Sequence, residues 1–216
     1  MCFSAGASFA GGAVITAIGV MAMRSNSDPS HRLFAGIPLV FGVQQISEGF
    51  VWIALQSSGH DLMLGISSYL FLIAAVVIWP FMIPLSVLLM EKVKSRKRAL
   101  RVLLFVGLLV SLYYGIGLMI SDIDAGISSH HIKYANDFPR TMRLPVFIAY
   151  LIATLVPLFI SSIRKVWLLG ILIAASCLIT GIFYKEYLTS VWCFFAALIS
   201  VIIWWIIRKE RLKENG

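Results

Sequence analysis

One acidic residue stands apart from the others in this sequence. Glu48 lies in the segment Gln44-Gln45-Ile46-Ser47-Glu48-Gly49-Phe50-Val51-Trp52, and no other carboxylate falls deep inside an apolar stretch. On a helix, Gln44, Glu48 and Trp52 fall at i, i+4 and i+8 with Gln45 alongside, so one face gathers three polar side chains. An ionised carboxylate in hydrocarbon costs a few kcal/mol at least and must find a partner in the protein interior. Buried, it would have a raised pKa and could act as a general base. Cys2 and Cys193 supply thiols, and His130 and His131 supply imidazoles. Together with Glu48 these are the ligand types that zinc or copper takes. A metal-bound water or a cysteine would then be the nucleophile of a hydrolase-like reaction. Removal of Met1 would also leave Cys2 with its own amine as base. The plainer alternative is that Glu48 accepts a hydrogen bond from Gln45 and serves helix association alone. No CxxC or HxxxH spacing ties these residues together, and the three cysteines form no close pair.

The elements that must hold such a site are membrane helices. The chain has 216 residues, 60% hydrophobic and 13% charged, with mean hydropathy +0.92, which is far from the composition of a soluble domain. Apolar runs predict spans near 4–23, 33–56, 63–90, 99–121, 144–162, 166–184 and 187–207. Seven spans with short loops use the whole length, so residues 1–216 form a single domain. Met1 to Met23 has no basic leader or cleavage pattern, and the first run is read as a retained span. Trp79-Pro80 and Pro84 predict one kinked helix in the third run, and Pro157 a bend in the fifth. Small residues line one face of the first span (Ala5, Ser8, Gly12, Thr16, Gly19), of the fourth (Gly107, Ser111, Gly115) and of the sixth (Gly170, Ala174, Cys177, Gly181), where backbones can approach closely.

The basic residues set a direction. Of the 18, fourteen fall on one side: Arg24, Arg32, six within 92–101, Arg164, Lys165 and four within 208–213. Lys133, Arg140, Arg143 and Lys185 fall on the other. The positive-inside rule then places the N-terminus outside and the C-terminus in the cytoplasm. The runs Glu91–Arg101 and Arg208–Lys213 fix this topology and would also suit acidic lipid headgroups. The formal charge of +8 does not indicate nucleic acid, because no base-reading or aromatic-interleaved basic surface accompanies it.

With this direction, Glu48 sits about 13 Å below the outer end of its helix and Cys193 about 9 Å below the same surface, at ~1.5 Å per residue. Ser4 at the head of the first span, and Ser190 and Trp192 in the seventh, lie at the same side. The outer loop from Asp122 to Arg143, which carries His130 and His131, is long enough to act as a lid.

Met1-Cys2-Phe3-Ser4-Ala5, Gln44-Gln45-x-x-Glu48-Gly49-x-x-Trp52 and Val191-Trp192-Cys193-Phe194-Phe195-Ala196-Ala197 resemble a family of bacterial multi-pass membrane proteins of unknown function. The resemblance covers most of the chain. It implies a bacterial inner-membrane protein and carries no activity.

The expectation is therefore an all-α, seven-transmembrane helix bundle, N-out and C-in, with an outward-opening polar pocket. Glu48 and Cys2 are its candidate catalytic residues. Gln44, Gln45, Trp52, Ser4, Ser190 and Trp192 are the candidate ligand contacts, and Glu48, Cys193, Cys2, His130 and His131 the metal ligands. The function expected is a small metal-dependent intramembrane enzyme. The alternative is a ligand-binding receptor or transporter-like protein taking a small molecule or lipid from the outer side, without nucleic acid.

Overall fold

The computed structural model describes residues 4–57, 59–121, 123–128, 131–136, 140–163, 165–183 and 188–214, with side chains for most of them. The chain is mostly helical. Helix α1 spans Ala5–Ser25, and Ser4 caps it by accepting from the Ala7 amide at 3.2 Å. Asp28 then accepts from the Ser30 amide at 2.8 Å and starts a 3₁₀ turn, Pro29–His31, that leads into α2 (Arg32–Ala35). After Gly36 comes α3 (Ile37–Gln56), where Pro38 sits in the first turn and removes an N–H that has no intrahelical partner there.

The third apolar run is one continuous helical rod from Asp61 to Met90. It consists of α4 (Asp61–Leu72), a π-helical stretch Ile73–Ile78, and α5 (Trp79–Met90). The wide turns lie directly before Pro80, whose ring crowds the carbonyl four residues back and offers it no donor. Two neighbouring helices supply donors to this stretch. The Tyr150 hydroxyl donates to the Ala75 carbonyl at 2.8 Å, and the Ser111 hydroxyl donates to the Val77 carbonyl at 2.7 Å.

Helix α6 (Lys94–Ile120) leads to a hairpin of β1 (Ile123–Ser128) and β2 (His131–Asn136), antiparallel, with Ser128 opposite His131 and Ile123 opposite Asn136. Helices α7 (Arg140–Ile160), α8 (Val166–Phe183) and α9 (Leu188–Glu214) complete the chain. The hairpin amends the all-helical expectation. A connection laid against apolar helix ends must pair its own backbone groups, and a two-stranded ladder does so. Its strands alternate: Ala125 and Ile132 are buried, whereas Asp124, Gly126 and Lys133 are exposed.

Helix α3 packs on α1, α4 and α9; α5 packs on α6 and α7; and α8 bridges α7 and α9. The larger core, with Phe34, Ile37, Met90, Leu100, Leu158, Val166, Ile199 and Ile206 all buried, lies at the end away from the hairpin. A smaller cluster of Val51, Trp52, Ala125 and Ile132 lies at the hairpin end, with Ala5, Leu55 and Leu64 packed on it.

Among the described residues, five helical runs are long and apolar enough to cross a membrane: Ala5–Ser25, Pro29–Gln56, Asp61–Met90, Lys94–Ile120 and Met142–Ile160. Val166–Leu178 is a shorter apolar stretch. Large apolar side chains face outward along these helices, including Phe105, Leu112, Met119 and Ile120 on α6.

The small-residue stripe on α6 is not uniform. Pro84 cannot donate to the Pro80 carbonyl, and Gly107 lies directly against that carbonyl, where a Cβ would collide with it. A Cβ at Gly115 would meet nothing within 4 Å. Gly107→Ala is therefore expected to destabilise the fold by about 3 kcal/mol through overpacking. Gly115→Ala, which gains helix propensity, is expected to be neutral or stabilising by up to about 1 kcal/mol. Thermal unfolding of the two variants in detergent, side by side, checks both signs.

Candidate functional site

The Glu48 segment is held by glycines. A Cβ on Gly12 of α1 would stand 2.7 Å from Ile46 Cγ1 and 3.3 Å from the Gly42 carbonyl, and one on Gly42 would run into Thr16. Gly49, the residue after Glu48, lies on the Phe9 ring, which would be 2.9 Å from an added Cβ. The first-span stripe is thus a close helix–helix contact, and it brings the α1 backbone to the level of Glu48. Helix α9 packs on both α1 and α3.

Within this corner Glu48 is 0% exposed, Gln45 1% and Trp52 3%. Gln45 Nε2 donates to Glu48 Oε2 at 3.0 Å. The expected helix face therefore divides in two. Gln44 is turned to another neighbour, and its Oε1 accepts from Trp79 Nε1 on α5 at 2.9 Å, next to a Phe41–Trp79 ring contact of 4.2 Å. Gln45, Glu48 and Trp52, at i, i+3 and i+7, form the face that carries the buried acid. Two polar atoms on that face, Gln45 Oε1 and Trp52 Nε1, are buried with no hydrogen-bond partner among the described residues. Leaving such atoms dry costs about 1–3 kcal/mol each.

The hairpin covers this corner. Ala125 and Ile132 pack on Val51 and Trp52, and Tyr134 stacks on Phe71 of α4 with ring centroids 4.8 Å apart and planes 14° from parallel. Strand β2 also packs on α9. The long loop therefore lies over Trp52, one turn beyond Glu48.

Of the other expected site residues, Ser4 is exposed and its hydroxyl caps α1. Cys2 and His130 lie outside the described residues. His131 falls on β2, and Ser190, Trp192 and Cys193 fall on α9, with their side chains outside the described set. Glu48 is thus the one expected metal ligand whose side chain is described. Among the described residues no group of three or more His, Cys, Asp or Glu comes together to hold a metal ion.

The model of a family of unknown function, DUF6629, matches residues 1–215. The chain belongs to that family. No curated protein sequence and no solved structure matches it. For this DUF6629 member, chemistry has to be read from its own side chains.

One polar site was not legible as such. Glu91 opens what reads as a basic run, yet it is 1% exposed in the turn between α5 and α6. Its Oε1 accepts from the Lys92 and Val93 amides, each at 2.9 Å, and from the Ser162 hydroxyl at 2.5 Å, and its Oε2 accepts from the Ser162 amide at 2.7 Å. This carboxylate ties the α5–α6 turn to the end of α7. Burial pushes its carboxyl up, but the Ser162 hydroxyl together with the Val93, Ser162 and Lys92 amides outweighs burial and holds it below the ordinary glutamate value of 4.5. The sequence signal was slight: an acid after Met90 in an otherwise basic stretch.

Because the folded carboxyl is depressed, its stabilisation is complete above that ordinary value and is lost as pH falls through the lowered one. Ser162→Ala is expected to cost about 2 kcal/mol, the size of a hydrogen bond to a charged group. Glu91→Gln should cost a similar amount near neutrality and flatten the acid limb of a plot of unfolding temperature against pH. An acid limb as steep as that of the unaltered protein would show that Glu91 does not govern it.

Proposed function

We propose that this chain is a seven-span protein of a bacterial inner membrane, with α8 and α9 completing the five longer spans. The α1 start and the hairpin lie outside, and the α5–α6 turn and the end of α9 lie in the cytoplasm. The fourteen-to-four split of basic residues and the outward-facing apolar side chains support this reading.

Its function is to bind a small polar molecule in the α1–α3–α9 corner, beneath the hairpin and away from the cytosol. The observation that carries this is the pair of buried atoms beside Glu48 with no partner among the described residues: an acceptor at Gln45 Oε1 and a donor at Trp52 Nε1. A helix joint alone needs neither a fully buried carboxylate nor two unsatisfied neighbours, since an amide pair would join helices at lower cost. A ligand bearing both a donor and an acceptor satisfies both atoms. An indole N–H cannot ligate a metal, so the described groups are a hydrogen-bonding set, matching the receptor or transporter-like class more closely than a metal shell.

A second reading keeps the metal-dependent, hydrolase-like enzyme, with Glu48 as general base and Cys2, Cys193, His130 or His131 around zinc or copper. One observation favours it. The strand that carries His131 packs on α9, which carries Cys193, and α9 packs on α1 and α3.

Native mass spectrometry of gently solubilised protein is expected to show a co-purified small molecule at unit stoichiometry. Gln45→Leu combined with Trp52→Phe should weaken its retention at least about tenfold, for two hydrogen bonds of about 1 kcal/mol each. If the protein carries no small molecule and the double variant is more stable than its parent, the corner is a packed joint and the binding reading ends. A stoichiometric transition metal lost on Glu48→Gln and Cys193→Ser would move the assignment to the enzyme. Orientation is checked by labelling intact cells with an impermeant thiol reagent, which should modify Gly126→Cys and miss Ser95→Cys.

A further inference from the structure

The end of α9 gathers cations on a pair of indoles. Lys165, in the turn before α8, has φ 78°, a left-handed conformation unusual for a side-chain-bearing residue. From there its Nζ stands 3.8 Å from the centre of the Trp205 ring. Lys209, one turn along α9, brings its Nζ to 4.7 Å from the same ring, and the Arg208 guanidinium lies 5.5 Å from the Trp204 ring. Two ammonium groups, one from the turn before α8 and one from α9, thus share one indole.

A ring face attracts a cation but contributes no net negative charge. The described carboxylate in the adjoining turn, Glu91, is taken up by Ser162, Lys92 and Val93. In sequence, 164–165 and 208–214 hold six basic residues against the two acids Glu210 and Glu214, so their balance is positive. Tryptophans gather at the headgroup level of a bilayer, and lysine and arginine reach from there toward phosphate.

We propose that Lys165, Arg208 and Lys209, held by Trp204 and Trp205, form a site for the phosphate of an anionic phospholipid headgroup in the cytoplasmic leaflet. This rests on the membrane orientation proposed above and is independent of the Glu48 ligand. It differs from diffuse attraction to an acidic surface, because two adjacent rings on α9 position cations from that helix and from the turn before α8.

The test is native mass spectrometry of the full chain in detergent with equal amounts of phosphatidylglycerol and phosphatidylcholine. The unaltered protein should retain phosphatidylglycerol preferentially. Lys165→Asn, chosen because asparagine tolerates the left-handed backbone, and Lys209→Gln should each lower that preference about fivefold, the effect of one basic residue at a lipid surface. Trp205→Phe, which leaves every charge in place, should lower it less than either. A control pair on the same side but outside both basic runs, Arg24→Gln with Arg32→Gln, should leave it unchanged. Equal retention of the two lipids, or an equal loss in the control pair, overturns the site. Displacement of phosphatidylglycerol by millimolar inorganic phosphate overturns the lipid assignment in favour of a free anion. Carbonate extraction and the thiol labelling above separate the two readings: protein released from membranes, or labelled at Ser95→Cys in intact cells, sinks the membrane orientation, whereas retained, correctly oriented protein without lipid preference sinks this site alone.

Discussion

The hydrogen bond from Gln45 to Glu48 is the interaction on which the hairpin half of the molecule is organised. A carboxylate there is tolerable only if lipid is kept away and a donor is held within reach. Gln45 supplies the donor from the preceding turn. Gly12, Gly42 and Gly49 let α1 lie closely against α3 at the level of the acid. The hairpin closes the remaining side by laying Ala125 and Ile132 on Val51 and Trp52. Each of these features costs the fold something, through glycines in helices, a buried charge and unsatisfied polar atoms. Their concentration in one corner is the reason to place function there.

The rest of the molecule meets a related constraint. A backbone carbonyl without a donor is costly wherever water is absent. The two prolines of the long α4–α5 rod withdraw donors, and the structure answers locally. Tyr150 and Ser111 reach across to the widened turn, and Gly107 makes room for the Pro80 carbonyl. At the α5–α6 turn, Glu91 gathers amides from its own turn and from Ser162, so one buried carboxylate joins two connections.

Much of this was legible in the letters. Apolar length and period mark where the helices run, because burying or solvating about 20 apolar residues is a local matter of composition. Glu48 stood out for a similar reason, since charge in an apolar run is expensive whatever surrounds it. Which glutamine serves it was less accessible. Gln44 and Gln45 are neighbours 100° apart on a helix, and only the positions of α5 and α1 decide that Gln44 meets Trp79 while Gln45 meets Glu48. The long loop was readable as a cover but not as a hairpin, because its strands are short and their alternation is weak.

The sequence by itself determined the helical runs, the asymmetry of basic residues and the presence of one deep acid. These follow from side-chain solvation, which each residue carries with it. Tertiary structure alone decided that Gly107 is packed while Gly115 is open, that Glu91 is a buried clamp and not part of a solvated run, and that Tyr134 lies on Phe71. Those outcomes depend on contacts between residues far apart in the chain, and helical period fixes a face without naming the neighbour that will cover it.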